Sequence, residues 1–164
     1  MSQVEDRLAT LGLVLPEPIQ MPPGFVAPFQ FVRVVATRAY ISGHCALNGD
    51  GSVAEPLGKL GRELTVAQGY TAARLTGLAI LASLKRTLGD LDAVIAWTRV
   101  FGMVNSASGF DQQPMVINGF SELILELYGP HIGAHARSAV GMAELPFNIP
   151  VEIEAEVEIS ALPV

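Results

Sequence analysis

The chain has 164 residues, a formal net charge of −6 and one cysteine, a length that suits one domain with a full core and a composition that permits no internal disulfide. Half of its residues are hydrophobic and 16% are charged, giving a mean hydropathy of +0.41 and a pI near 4.9. No apolar run approaches the roughly 18 residues of a membrane span, and ten scattered Lys and Arg do not form the clustered basic surface that nucleic acid requires.

So apolar a chain is expected to hide surface in an oligomer. The opening residues Met1 to Arg7 include acidic side chains and no apolar stretch, unlike a signal peptide. With the lone cysteine, this suits a reducing cytoplasm. Cys45 itself reads as a small buried hydrophobe after a strand rather than a nucleophile.

In chain order, Ser2-Gln3-Val4-Glu5 resembles a capping box, and Val4, Leu8 and Leu11 recur at helical spacing, predicting a short helix. Leu15 to Gly24 contains Pro16, Pro18, Pro22 and Pro23 and reads as an extended connector. Residues 1–26 thus form a helix and Pro-rich extension of a single domain spanning 1–164. Phe31 to Val35 and Ala39 to Ser42 are predicted strands, with Thr37-Arg38 as the turn. Asn48-Gly49-Asp50-Gly51 is dense in turn chemistry and opens a loop that runs toward Glu63.

Thr65-Val66-Ala67-Gln68 is a second capping-box pattern, starting a long helix that Gly89 ends. Val66, Tyr70, Ala73, Gly77, Leu81, Leu84 and Leu88 make its apolar stripe, with Gly69 and Gly77 expected to allow close approach to a sheet. A strand follows from Val94 to Val104, with Trp97, Arg99 and Phe101 on one parity. Asp111 and Pro114 mark a second helix with Val116, Phe120, Leu123 and Leu127 in its stripe, stopped by Gly129-Pro130. Two last strands, Arg137 to Glu144 and Val151 to Ile159, complete a β-β-α-β-α-β-β order. This order predicts an α+β sandwich, a mixed sheet with two helices on one face. Its other sheet face is expected to be covered by association.

The chemistry concentrates near the C-terminus. Val151 to Ile159 alternates apolar residues with Glu152, Glu154, Glu156 and Glu158, the period of a strand with one buried face and one row of carboxylates. Arg137 stands between the small residues Ala136 and Ser138, where a planar carboxylate could reach its guanidinium and be held bidentately. An arginine and a glutamate on neighbouring strands make a candidate small-acid site. A solvated acidic face with one structural salt bridge accounts for the same spacing. His131 and His135 are four apart, like helical zinc ligands, but Gly129, Pro130 and Gly133 favour a polar loop beside Arg137.

These residues resemble the reactive intermediate deaminase, or YjgF-type, family. Ala136-Arg137-Ser138 and Val151-Glu152-Ile153-Glu154-Ala155 echo its C-terminal signature, and Ile41-Ser42-Gly43-His44 resembles its S-G-Q segment. The resemblance runs from Ala27 to Ser160. It implies a chorismate-mutase-like fold, a homotrimer with a site at each of three subunit interfaces, and hydrolysis of a carboxylate-bearing enamine or imine to a keto acid and ammonia. No metal or organic cofactor, nucleic acid or membrane is implied. Carried over residue by residue, Arg137 would bind the substrate carboxylate and Glu152 would serve the attacking water. Ser42 and Gly43 would line the pocket. Asn118 matches an asparagine common at its position, where a helix-surface amide is the plain alternative.

The chain departs from the family pattern at three pocket positions. Phe29 stands where an aromatic hydroxyl is common, His44 replaces the glutamine, and Ala139 replaces a cysteine two places after the arginine. These departures motivate a second reading, a non-catalytic trimer that binds a small carboxylate. A third, ribonuclease activity, fits poorly with an acidic chain lacking a basic, aromatic-rich surface.

Overall fold

A computed structural model describes residues 2–160; Met1 and residues 161–164, the ends of the expected 1–164 domain, lie outside them. The elements are α1 (Gln3–Thr10), β1 (Val32–Val35), β2 (Arg38–His44), α2 (Val66–Leu88), β3 (Val94–Asn105), α3 (Gln113–Ile132), β4 (Ala136–Met142) and β5 (Val151–Ile159). One five-stranded sheet has the order β1-β2-β5-β3-β4. Only β3 and β4 run parallel, as the intervening helix α3 requires. The fold is the expected α+β arrangement, with α2 and α3 as the two long helices.

The core lies between those helices and one sheet face. Val151, Ile153, Ala155, Val157 and Ile159 of the central strand are buried, as are Trp97, Val100 and Val104 of β3. They meet Leu81 and Leu84 of α2 and Phe120, Leu123 and Leu127 of α3. The period-two reading of β5 therefore holds along its length. On the opposite face, Arg38 pairs with Glu158 at 3.5 Å, and Arg99 lies across from Glu156. Cations thus interrupt the carboxylate row.

The predicted start and stop of α2 are both realised. Thr65 Oγ1 accepts the Gln68 N–H at 3.3 Å while Gln68 Oε1 accepts the Thr65 N–H at 2.9 Å, and Gly89 closes the helix at φ 79°. Gly69 and Gly77 serve a different contact from the one expected. A Cβ at Gly77 would press on Leu123 of α3 and one at Gly69 first on Leu60, in the loop before α2, and then on Val116 of α3, while one at Gly119 would strike the Tyr70 backbone. The glycines bring helix against helix, not helix against sheet.

Four local expectations are corrected. Ser2 caps α1 without a side-chain bond of its own. Its hydroxyl instead donates to Asp92, whose carboxylate also accepts the Gln3 and Val4 N–H groups at 2.7 and 3.0 Å. The β1–β2 turn is Ala36-Thr37, with Ala36 at φ 52°, because Arg38 already pairs with Val35. A register shift between Trp97 and Arg99 sends Trp97 into the core, against Phe120 and Tyr128, and leaves Arg99 and Phe101 on the open face. Finally, β4 and β5 are not neighbours, since β3 lies between them. Gly129, at φ 75°, breaks α3 where expected, and a further turn follows it.

Candidate functional site

The candidate residues fall into two groups, one on β2 and the central strand β5, the other on the edge strand β4 and the helix α3. Glu152 belongs to the first. It lies on the face turned away from α2 and α3, half-buried between flanking buried residues Val151 and Ile153. Burial, then the neighbouring Glu154 charge, raises its pKa above the ordinary carboxylate value. Gly43 sits in an irregular stretch of β2 between Ile41 and His44. A Cβ there would collide with Glu152 Oε1, so only glycine lets that carboxylate lie across β2.

Ser42, Phe29 and His44 surround this pair. The Ser42 hydroxyl donates to the Gln30 carbonyl at 2.8 Å. Phe29 is half exposed and meets Phe31 edge-to-face at 5.3 Å, and Phe31 meets His44 in the same way at 5.4 Å. Two hollows share Phe29 and Gln30. One, of about 620 Å³, opens on the sheet face beside Arg33, Tyr40, Ser42 and Arg99. The other, of about 380 Å³, reaches Gly43, His44 and Glu152.

His44 is buried and fully bonded. Its Nδ1 lies 2.6 Å from the Ser42 carbonyl and its Nε2 lies 2.9 Å from Ser83 Oγ. A carbonyl only accepts, which assigns the proton to Nδ1 and makes Nε2 an acceptor for the Ser83 hydroxyl. Ser83 Oγ in turn accepts from Arg86 at 3.1 Å. Burial lowers the His44 pKa to about 4; the Ser42 carbonyl opposes that shift and the Arg86 charge adds to it. His44 is therefore a neutral strut at pH 7. Cys45 is buried, and burial together with the Glu152 charge pushes its thiol up to about 11, which suits a hydrophobe better than a nucleophile.

Arg137 heads the second group, on edge strand β4. Its Nη1 donates to Asn118 Oδ1 at 2.9 Å and to Ser121 Oγ at 3.1 Å, and its Nη2 points to the Pro114 carbonyl at 3.5 Å. All three acceptors belong to α3. Partial burial lowers its pKa, but a guanidinium stays charged. Ser121 also contacts His135 Nε2 at 2.9 Å, while His135 Nδ1 faces the Gly133 carbonyl at 2.7 Å. By the same donor logic, His135 orients the serine that orients the arginine. Ala139 follows on the same strand, partly buried against the core. His131 is exposed, and among the described residues no group of three or more His, Cys, Asp and Glu is placed to hold a metal.

Thus Asn118 does meet Arg137, while Glu152 does not. Arg137 pairs with Val100 and Glu152 with Met103, on opposite sides of β3. Arg137 contacts α3, whereas Glu152 faces the open side. The sequence pattern gave no sign of Ser121, which has an ordinary place on a helix, or of Ser83 and Arg86 behind His44. The proximity of His135 to Arg137 was legible from their separation by one residue.

Residues 5–154 match the family described as "YjgF/chorismate_mutase-like, putative endoribonuclease". The chain is also similar to Protein TCP17 of Trypanosoma cruzi, 38% identical over 144 residues that cover 87% of this chain and 89% of that protein. The chain belongs to the YjgF/chorismate mutase-like family. Among solved structures it is similar to Atu1372 of Agrobacterium tumefaciens, described as of unknown function, with 38% identity, a TM-score of 0.83 and coverage of 96% and 93% of the two chains. E. coli TdcF, solved with bound serine, shares the fold at 18% identity and a TM-score of 0.56, over 88% of this chain and 99% of its own. No helix among the described residues of this YjgF-family chain is long and apolar enough to cross a membrane.

Proposed function

We propose that this protein hydrolyses a reactive imine or enamine of a small carboxylic acid, as a homotrimer whose sites are shared between subunits. The observation that carries the reading is the state of Arg137. Its guanidinium is oriented by neutral acceptors on α3, and among the described residues no carboxylate lies within ion-pairing distance of it. An oriented cation without a counter-charge is an anchor for a ligand carboxylate. The serine bound to TdcF belongs to that protein, and an amino-acid carboxylate is the chemistry such an anchor suits.

In this reading Arg137 of one subunit holds the carboxylate, and the imine carbon lies over Glu152 of the next. Water adds to the carbon of the protonated imine, one water proton passes to the Glu152 carboxylate, and a neutral carbinolamine forms. Glu152 returns that proton to nitrogen, the C–N bond breaks with loss of ammonia, and the hydroxyl gives up its remaining proton to Glu152 as its oxygen becomes the carbonyl of the keto acid. An enamine first takes a proton at its β-carbon to become the protonated imine. A carboxylate whose pKa is raised by burial is better matched to such proton traffic near neutral pH than an exposed one. A net charge of −6 opposes RNA binding.

The test generates 2-iminopropionate from alanine with an amino-acid oxidase and follows pyruvate release. Acceleration by the wild type, reduced tenfold or more in Arg137→Lys because lysine lacks the planar fork, supports hydrolysis. Keto-acid binding without acceleration supports instead the non-catalytic trimer, which the neutral, fully bonded His44 and the absence of a thiol at Ala139 favour.

A further inference from the structure

The hollow beside Glu152 is larger and greasier than the smallest imines need. Its volume is about 380 Å³, and its walls include Ile19, Met21, Phe29, Phe31, Phe147 and Ile149. That volume falls in the range of roughly 300–1,000 Å³ occupied by small-molecule sites, which are mostly apolar with a few placed polar groups.

The walls are fixed by polar bonds around them. The connector that supplies Ile19 and Met21 is tied to the Asn48–Ser52 loop, with Glu17 N–H to the Gly49 carbonyl at 3.0 Å and Gln20 N–H to the Gly51 carbonyl at 2.9 Å. Arg86 adds a bond to the Pro16 carbonyl at 3.2 Å. On the opposite wall, Phe147 adopts φ 55° and ψ 20°, followed by Asn148 at φ 57°. Left-handed backbone at a bulky residue costs energy and persists only where surrounding contacts impose it. Here they do: Asn105 Nδ2 donates to Asn148 Oδ1 at 3.2 Å and to the Ile149 carbonyl at 3.1 Å, and its own Oδ1 accepts from the buried Lys59 at 2.9 Å. The result is an aromatic ring left 76% exposed at the edge of the hollow.

We infer that this hollow is the subsite for the substrate's side chain, that Phe147 is its specificity-determining residue, and that the preferred substrates are imines of 2-oxo acids with a large apolar or aromatic side chain. This rests on the proposed reading of the Glu152 site. A flat ring entering between Phe29 and Phe147 would cover the exposed phenyl and gain aromatic contact on both sides. A methyl side chain would leave most of the hollow unfilled.

The experiment compares imines generated from alanine, leucine and phenylalanine, with wild type, Phe147→Ala and Phe147→Leu. In parallel, calorimetry measures binding of pyruvate and phenylpyruvate. The wild type should favour the phenylalanine imine over the alanine imine by tenfold or more in kcat/KM, and Phe147→Ala should reduce that ratio at least fivefold, with Phe147→Leu between. Equal rates on all three imines, or a ratio unchanged in Phe147→Ala, would overturn the inference while leaving hydrolysis standing. If no imine is hydrolysed faster than in buffer, the deaminase reading fails. The subsite then stands if phenylpyruvate binds tenfold tighter than pyruvate and loses that advantage in Phe147→Ala, and falls if the two bind alike.

Discussion

Arg137 and Glu152 lie on opposite faces of one sheet with a whole strand between them. Arg137 pairs with Val100 and Glu152 with Met103, three residues apart on β3. The offset is roughly 10 Å along the strands and roughly 10 Å across them, at the usual rise and strand spacing. A small carboxylate held by one cannot touch the other within the same chain. The two halves are each well built, with their own hydrogen-bonded supports, so the separation points outward. A heterologous interface that sets the β4 edge of one copy against the β2–β5 face of the next would join them, and three such contacts can close a ring.

Gly43→Ala tests how tightly the Glu152 half is packed. The new methyl would collide with the end of the Glu152 side chain, which can rotate away, so the fold should survive with a loss of about 1 kcal/mol or less, within the ordinary range for point substitutions. Turnover should fall by about tenfold or more, because a displaced carboxylate no longer serves the reacting water. Thermal unfolding and imine turnover, measured on the same preparation, separate the two effects. Full activity in the variant would mean that the position of Glu152 does not matter.

Glu152→Gln and Glu156→Gln distinguish a working carboxylate from its neighbour on the same strand face. Glu152 is half-buried beside Gly43, whereas Glu156 lies across from Arg99 and Tyr40. Glu152→Gln should keep keto-acid affinity and lower turnover by about 10²-fold, the contribution typical of a general base. Glu156→Gln should change turnover little, and its small effect on stability should fade as salt screens the sheet-face charges. Equal and harmless outcomes would leave Arg137 as the anchor of a binding protein.

His44 predicts an acid limb of stability. Its folded pKa of about 4 lies below the ordinary 6.5, so the unfolded chain binds more protons between those values. The stabilisation is complete above about pH 6.5 and is lost as pH falls toward 4, amounting to about 2 kcal/mol between pH 7 and pH 5. Urea unfolding at the two pH values should show that loss in the wild type and a clearly smaller one in His44→Gln. An identical slope in both would assign the acid limb to other groups.

Much of this arrangement is legible in the sequence because it is local. The alternation of β5, the Thr65 capping box and the Gly89 stop each depend on a few consecutive residues, and each is realised. What the sequence hides depends on contacts between distant segments. Asp92 takes over the capping of α1 from across 90 positions. One register shift at Trp97 reverses which face receives the largest core side chain. The strand order puts β3 between the two strands that carry Arg137 and Glu152, and spacing along the chain carries no information about that insertion. Phe147 likewise reads as a residue of a Pro-Phe-Asn turn, and its exposure follows from Lys59 and Asn105, which are remote in sequence.

The central claim is that one site takes Arg137 from one subunit and Glu152 from another, and mixing two dead variants tests it most directly. Arg137→Ala and Glu152→Gln should each be inactive as pure oligomers. After the two are unfolded and refolded together, with mixed trimers confirmed by native mass spectrometry, random assembly in a closed ring places an intact Arg137 against an intact Glu152 at about a quarter of the sites. Imine hydrolysis should therefore return to about a quarter of the wild-type rate. Mixed trimers that remain as inactive as their parents would contradict a shared site.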